Sequence, residues 1–216
     1  MDFAAARTKM VDNQIRTTDV TSHELLRAFL AVPRERFVPD ARKPLAYIDE
    51  DIPLGGARYL MEPSPFAKLL QLAQIGSQDV VLDVGCGTGY SAAVLSHLAG
   101  SVVALEEDET LAAEASRQLD ELGIVSCAVV TGPLAAGFPS EAPFDVIVFE
   151  GSVGEIPATY FDQLKDRGRM VVVEGQGLSA MAKLYTKEDG ILADRFGFNC
   201  SIKPLPGFTK RQAFVF

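Results

Sequence analysis

Val80-Val81-Leu82-Asp83-Val84-Gly85-Cys86-Gly87-Thr88-Gly89-Tyr90 decides the fold of this 216-residue chain. An unbroken apolar strand pattern over 80–84 runs straight into glycines at alternate positions, and a helical pattern follows. Gly85, Gly87 and Gly89 let the backbone turn sharply and let a ligand approach with no Cβ in the way. A tight strand-to-helix turn would account for the glycines alone. It does not account for the two acids beside them. Asp83 stands near the end of the first strand, and Glu106 ends the next apolar run, 102–105, where a carboxylate can accept hydrogen bonds from both hydroxyls of a ribose.

Outward from this loop the pattern repeats. Apolar runs at 80–84, 102–105, 127–130, 146–149 and 170–173 follow one another, the first pairs separated by amphipathic stretches of helical length at 90–98 and 110–122. Such repetition predicts a parallel sheet covered on both faces, and right-handed crossovers make it a doubly wound, Rossmann-like α/β sheet. After residue 170 the helical pattern stops. Runs at 181–185, 191–198 and 213–216, with turn residues Lys187-Glu188-Asp189-Gly190, predict strands that close the sheet in antiparallel fashion.

Upstream, residues 4–15 predict a helix. Thr21 and Glu24 have capping-box spacing ahead of Leu25, Leu26, Phe29 and Leu30, and Pro33 ends that second helix. Residues 37–65, proline-rich and carrying Gly55-Gly56, predict an ordered winding loop, and 66–75 returns to helical spacing.

With 48% hydrophobic and 23% charged residues, the chain has the balance of a globular protein. No apolar run reaches the roughly 18 residues that span a bilayer, and MDFAAARTKM lacks a signal-peptide pattern, so a cytoplasmic location without membrane partners is expected. A net charge of −9 and a pI near 4.8 oppose a polyanion at long range, despite basic pairs at Arg34/Arg36 and Lys210/Arg211. Nucleic acid is not an expected partner. Cys86, Cys127 and Cys200 have neither disulfide nor metal-site spacing, His23 and His97 stand alone, and no metal is expected.

Charge identifies the ligand of the loop. Gly87-Thr88-Gly89-Tyr90-Ser91-Ala92 also satisfies the G-x-G-x-x-A pattern of dinucleotide sites, with Glu106 on a ribose. Asp83 at the base of that loop would oppose two phosphates. S-adenosylmethionine has none, and its sulfonium and ammonium are cations that suit an acid. The D-x-G-x-G-x-G order of Asp83, Gly85, Gly87 and Gly89 matches class I methyltransferases. Asp83, Gly85, Gly87, Thr88, Gly89 and Glu106 are the expected S-adenosylmethionine-binding residues.

With the loop placed, the chain resembles the protein-L-isoaspartate O-methyltransferases nearly end to end. The similar pieces are Met10-Val11-Asp12-Asn13-Gln14-Ile15-Arg16, Val32-Pro33-Arg34-Glu35-Arg36-Phe37-Val38-Pro39, Ala46-Tyr47 and the glycine loop with Tyr90. Ala142-Pro143-Phe144-Asp145, Glu155-Ile156-Pro157, Gly168-Arg169 and Lys203-Pro204-Leu205 continue the match. The resemblance implies one methyltransferase domain over 1–216, with N-terminal helices and a substrate loop in 1–78 and the cofactor-binding sheet in 79–216. It implies methyl transfer to a carboxylate of a damaged protein or peptide.

The resemblance also implies a segment G-Q-T-I-S-x-P whose threonine and serine line the transfer site. Here that segment is Ala57-Arg58-Tyr59-Leu60-Met61-Glu62-Pro63, so Tyr59 replaces the threonine and Met61 the serine usually given a catalytic part. Arg58, Tyr59, Met61 and Glu150 are expected to face substrate, and no residue here inherits the catalytic role. The family's Gly-Asp after the third strand, whose acid meets the adenine, is Gly132-Pro133. Glu150 stands where the family has small or hydroxyl residues, or else is a solvated acid at a strand end. Three functions remain open: an isoaspartyl methyltransferase with an altered site, a methyltransferase for another acceptor, a neutral or cationic group on a protein or small molecule drawn by Glu150, and a non-catalytic cofactor-binding or interaction protein. The sequence does not set an oligomeric state.

Overall fold

The structure, a computed structural model, describes residues 1–208. The N-terminal layer comprises α1 (Phe3–Met10), continued by a π-helical stretch over Val11–Ile15, then α2 (His23–Ala31) and α3 (Pro63–Ala73). Ser22, not Thr21, caps α2. Its backbone is extended (φ −63°, ψ 115°) and its hydroxyl accepts from the Leu25 N–H at 3.3 Å, while the Thr21 N–H is taken by Gln71 Oε1 at 2.7 Å.

The expected winding loop contains regular structure. Two 3₁₀ turns, Arg34–Phe37 and Asp40–Leu45, lead into an antiparallel hairpin of β1 (Ile52–Gly55) and β2 (Arg58–Leu60). Gly55 ends β1 at a φ of +118°, and Gly56, at +56°, opens the turn that it makes with Ala57. Pro53 is tolerated because a two-stranded ribbon consists only of edges.

The main sheet follows the predicted alternation. Its elements are β3 (Val80–Val84), α4 (Tyr90–Leu95), β4 (Ser101–Glu106), α5 (Glu109–Glu121), β5 (Cys127–Thr131), β6 (Phe144–Val153), α6 (Ala158–Gln163), β7 (Leu164–Glu174), β8 (Met181–Glu188) and β9 (Ile191–Asn199). The strand order is β5-β4-β3-β6-β7-β8-β9, parallel through β7 and antiparallel at β8 and β9. The doubly wound fold and its antiparallel closure are as expected. The expected strand at 213–216 and the basic pair Lys210/Arg211 lie outside the described residues.

Alternation along β3 divides the core. Val81 packs with the N-terminal helices, in a cluster holding Phe29, Phe66 and Tyr90, and Leu82 and Val84 pack opposite, with Ile147, Phe149 and Met170. The strand order reverses at β3, which has β4 on one side and β6 on the other. At such a switch point the carboxyl ends of the strands open a crevice. Asp83 (β3), Glu106 (β4) and Glu150 (β6) all lie near it.

Candidate functional site

Gly85, Gly87 and Gly89 have φ of +84°, +57° and +94°, conformations that side chains with a Cβ rarely adopt. Surroundings separate their roles. A Cβ on Gly89 would lie 3.1 Å from Ala115 Cβ, so that glycine lets α5 approach. A Cβ on Gly85 would come within 2.8 Å of the Arg58 guanidinium and 2.7 Å of Leu205, and one on Gly87 within 2.8 Å of Leu54. The first two glycines therefore lie beneath side chains from the β1–β2 hairpin and from the segment before residue 208.

Glu106 is fully buried at the end of β4. Its Oε2 accepts from Gly87 N (2.7 Å) and Arg58 Nη2 (2.8 Å), and its Oε1 accepts from Glu107 N (2.9 Å) and Asp108 N (3.2 Å). Arg58 Nη2 also donates to Gly85 O at 2.6 Å. Arg58, expected to face substrate, is thus turned onto the cofactor loop. Alternation on β2 explains it: Arg58 and Leu60 point inward and Tyr59 outward, and buried Glu106 supplies the countercharge.

Asp83 is also fully buried but differently served. Ser91 Oγ donates to its Oδ2 at 2.7 Å, and Oδ1 has no partner among the described residues. Burial raises its pKa to about 7, reinforced by the charge of Glu106 and opposed by the Ser91 hydrogen bond and Arg58. Glu150 is buried as well, so the solvated strand-end acid is not what forms, and its Oε1 is unpartnered among the described residues. Burial, then the charge of Asp83, pushes its pKa well above the ordinary range, against Arg58 and Arg34.

The remaining expected residues spread out. Met61 is 3% exposed and belongs to the core beside the N-terminal helices. Tyr59 is half-buried under the Lys203 ammonium, 5.6 Å from its ring centre. Thr88 donates its hydroxyl to Phe37 O at 2.6 Å, tying the glycine loop to the first 3₁₀ turn. Pro133 follows Gly132, whose N–H donates to Glu106 O at 3.0 Å. A cavity of about 320 Å³ opens beside Glu106, lined by Gly56, Ala57, Arg58, Glu107, Leu134 and Pro206 among others.

The sequence pairs Arg34 with Arg36 as a candidate basic patch, and the structure separates the two. Arg34 is completely buried, donating Nε to Ala46 O (2.8 Å) and Nη2 to Met61 O (2.7 Å), with its guanidinium 4.7 Å from the centre of the Tyr90 ring. Burial lowers its pKa, opposed by its contacts with Tyr90. Its partners are main-chain carbonyls and an aromatic face, which carry no acidic signal in the sequence. Arg36 pairs outside with Glu121 and Gln118.

A carboxylate at the end of the second sheet strand, glycines at positive φ, an acid with a free oxygen and an adjoining cavity form a set of donors and acceptors that fits a nucleoside carrying a cation. The family described as protein-L-isoaspartate(D-aspartate) O-methyltransferase matches residues 5–202. The chain belongs to that family. Relatives named protein-L-isoaspartate O-methyltransferase include one from Koribacter versatilis, 37% identical over 95% of this chain and 92% of its own. Another, from Geobacter metallireducens, is 34% identical over 96% of each. A solved protein-L-isoaspartate O-methyltransferase superposes with a TM-score of 0.81 at 30% identity, covering 94% of this chain and 67% of that one. A Plasmodium falciparum structure assigned to the same class and bound to S-adenosyl-L-homocysteine shares the fold, with a TM-score of 0.79 at 17% identity over 92% of this chain and 97% of that one. No described helix is long and apolar enough to cross a membrane.

Proposed function

We propose that this chain is an S-adenosylmethionine-dependent methyltransferase that esterifies a carboxylate, the isoaspartyl side chain of damaged protein. The observation that carries the cofactor reading is Glu106, buried at the end of β4 and bonded to Gly87 N at 2.7 Å beneath a positive-φ glycine loop. Glu106 would hold the ribose, Gly85 and Gly87 would admit the ligand past the main chain, and Asp83 would face its cationic part. The cofactor supplies an electrophilic methyl group on a sulfonium. Leu134 and the residues around Gly56 line the cavity for the base, in place of the family's acid at Pro133.

Electrostatics favours a carboxylate acceptor more than the formal charge of Glu150 implies. Burial, and then the charge of Asp83, pushes the pKa of Glu150 well above the ordinary carboxylate range, so it opposes an incoming anion less than a solvated carboxylate would. An acceptor carboxylate is already ionised, so the protein needs no general base; its task is alignment and exclusion of water. Tyr59 and buried Met61 supply no serine-like hydroxyl for that alignment. We therefore place the activity in protein repair in the cytoplasm, on a protein or peptide acceptor, at a reduced rate. The single domain of 1–216, split at 78/79, is part of the same proposal.

Titration calorimetry with S-adenosylmethionine, followed by methyl transfer to an isoaspartyl peptide, tests this. Binding is expected, with transfer about 10²–10³-fold slower than by a relative retaining the G-Q-T-I-S segment, the usual effect of losing one positioned hydrogen bond. Binding of NAD instead would overturn the cofactor assignment. Equal rates side by side would show that the replaced hydroxyls are dispensable.

A further inference from the structure

The carboxylate of Glu106 is full. A carboxylate offers about four lone-pair positions, and here Gly87 N, Glu107 N, Asp108 N and Arg58 Nη2 occupy them. Three of these donors are main-chain groups of the two strand-end turns and cannot leave without dismantling the turns. Arg58 alone is a side chain. Any ribose hydroxyl that bonds Glu106 must take the position that Arg58 holds.

The guanidinium also covers the loop itself, at 2.6 Å from Gly85 O. It is carried on the small hairpin that places Leu54 against Gly87, and that hairpin turns at Gly55-Gly56, with no atoms within 4 Å of where their Cβ atoms would stand. The buried pair is left incomplete on the arginine side: Arg58 Nε has no partner among the described residues. A cation fixed in this place also opposes a second one, and the ligand proposed above carries a sulfonium and an ammonium.

We propose that Arg58 is a built-in competitor for the cofactor: it fills the ribose position on Glu106, so that cofactor entry and outward movement of the β1–β2 hairpin are one step, and Arg58 sets cofactor affinity. The inference rests on the S-adenosylmethionine reading of the loop. Breaking the pair costs the free protein a buried ion pair, and that cost is subtracted from the affinity observed. The same hairpin carries Tyr59, so the acceptor side of the site moves when the cofactor side fills.

Calorimetric titration of wild type, Arg58→Gln and Arg58→Lys with S-adenosylmethionine tests the inference, with hydrogen exchange over residues 52–60 as a second measurement on wild type. Arg58→Gln removes the charge and should bind about tenfold more tightly or better. Arg58→Lys keeps a cation for Glu106 and should remain within about threefold of wild type, which an arginine acting only through bulk or packing would not predict. Exchange at 52–60 in wild type should quicken when the cofactor saturates the site, whether or not the variants fold. If Arg58→Gln binds no more tightly and the hairpin exchange is unchanged or slowed, Arg58 is no competitor, while binding by wild type keeps the cofactor reading intact. If wild type and both variants fail to bind S-adenosylmethionine, the cofactor reading falls and the inference with it.

Discussion

Glu106 ends β4 and Asp83 stands one residue before the end of the neighbouring β3, both without solvent exposure, yet the protein has treated them in opposite ways. Glu106 collects four donors, among them a guanidinium. Asp83 has one hydroxyl and an oxygen with nothing on it. A carboxylate held by main-chain donors keeps its geometry, so it suits the recognition of fixed hydroxyls once its one side-chain donor, Arg58, makes way. An under-served one takes up a proton when alone and gives it up to a cation, so it suits a charged ligand. The contrast lies in hydrogen bonding, since burial is the same for both.

Substitutions at the two acids and around them would break or sharpen this contrast, and the largest effect is expected at the loop between them. Gly87→Val should abolish cofactor binding. Its Cβ would stand 2.8 Å from Leu54 at a φ of +57°, and the N–H that it would displace is one that positions Glu106. Calorimetry on protein with an unchanged circular dichroism spectrum checks this, and normal binding would reduce the glycine to a turn residue.

Next comes Glu106→Ala. Beyond the 1.5–3 kcal/mol that a charge-assisted hydrogen bond contributes to cofactor affinity, it leaves the Arg58 guanidinium buried without a countercharge. Removing one partner of a buried pair typically destabilises by about 3–5 kcal/mol, so chemical denaturation should show a marked loss even without ligand. If Asp83→Asn costs the same stability, the two acids are equivalent and the contrast is wrong.

Met61→Ser is expected to cost about 2–4 kcal/mol, toward the lower part of the range for large-to-small core changes. The thioether is packed in the core at 3% exposure, while the residue's carbonyl holds buried Arg34. Restoring the family's serine therefore trades stability for a hydroxyl. Combined with Tyr59→Thr, it should raise isoaspartyl transfer per folded molecule, measured below the melting temperature, and a fall in that rate would show that Met61 supports the site as it stands.

The legible parts of this molecule were those in which one short segment carries its own period. The strands from β3 to β7 contain continuous apolar runs, the glycine loop follows the first of them, and Glu106 closes the second. The hairpin escaped because strands of three and four residues containing Pro53 and ending at glycines have no period to detect. The pair Arg58–Glu106 joins residues 48 positions apart, and no local rule links them. The burial of Arg34 was not legible because arginines are usually exposed, and its carbonyl partners, Ala46 and Met61, are invisible to composition. A capping box shifted by one residue, from Thr21 to Ser22, marks the ordinary error at a helix end.

The smallest effect, and the one that reads Asp83 directly, is the dependence on pH. Its pKa near 7 is set by burial and by Glu106, with Ser91 and Arg58 opposing and Glu150 the other acid alongside. In the free protein this raised value means that the folded state holds a proton which the unfolded state, titrating near 4, does not. The stability so contributed is fully present below about pH 4 and is lost as pH rises through 7. Cofactor affinity should run the other way, because a cation favours the ionised acid: binding should tighten between pH 6 and 8 by up to about tenfold per unit, the limit for release of one proton. Asp83→Asn should flatten both slopes while leaving Glu106 and its donors in place. Calorimetry in buffers of different ionisation enthalpy would count the proton released on binding. A wild-type affinity independent of pH, or a slope that survives in Asp83→Asn, would mean that the free oxygen on Asp83 is not where the positive charge goes.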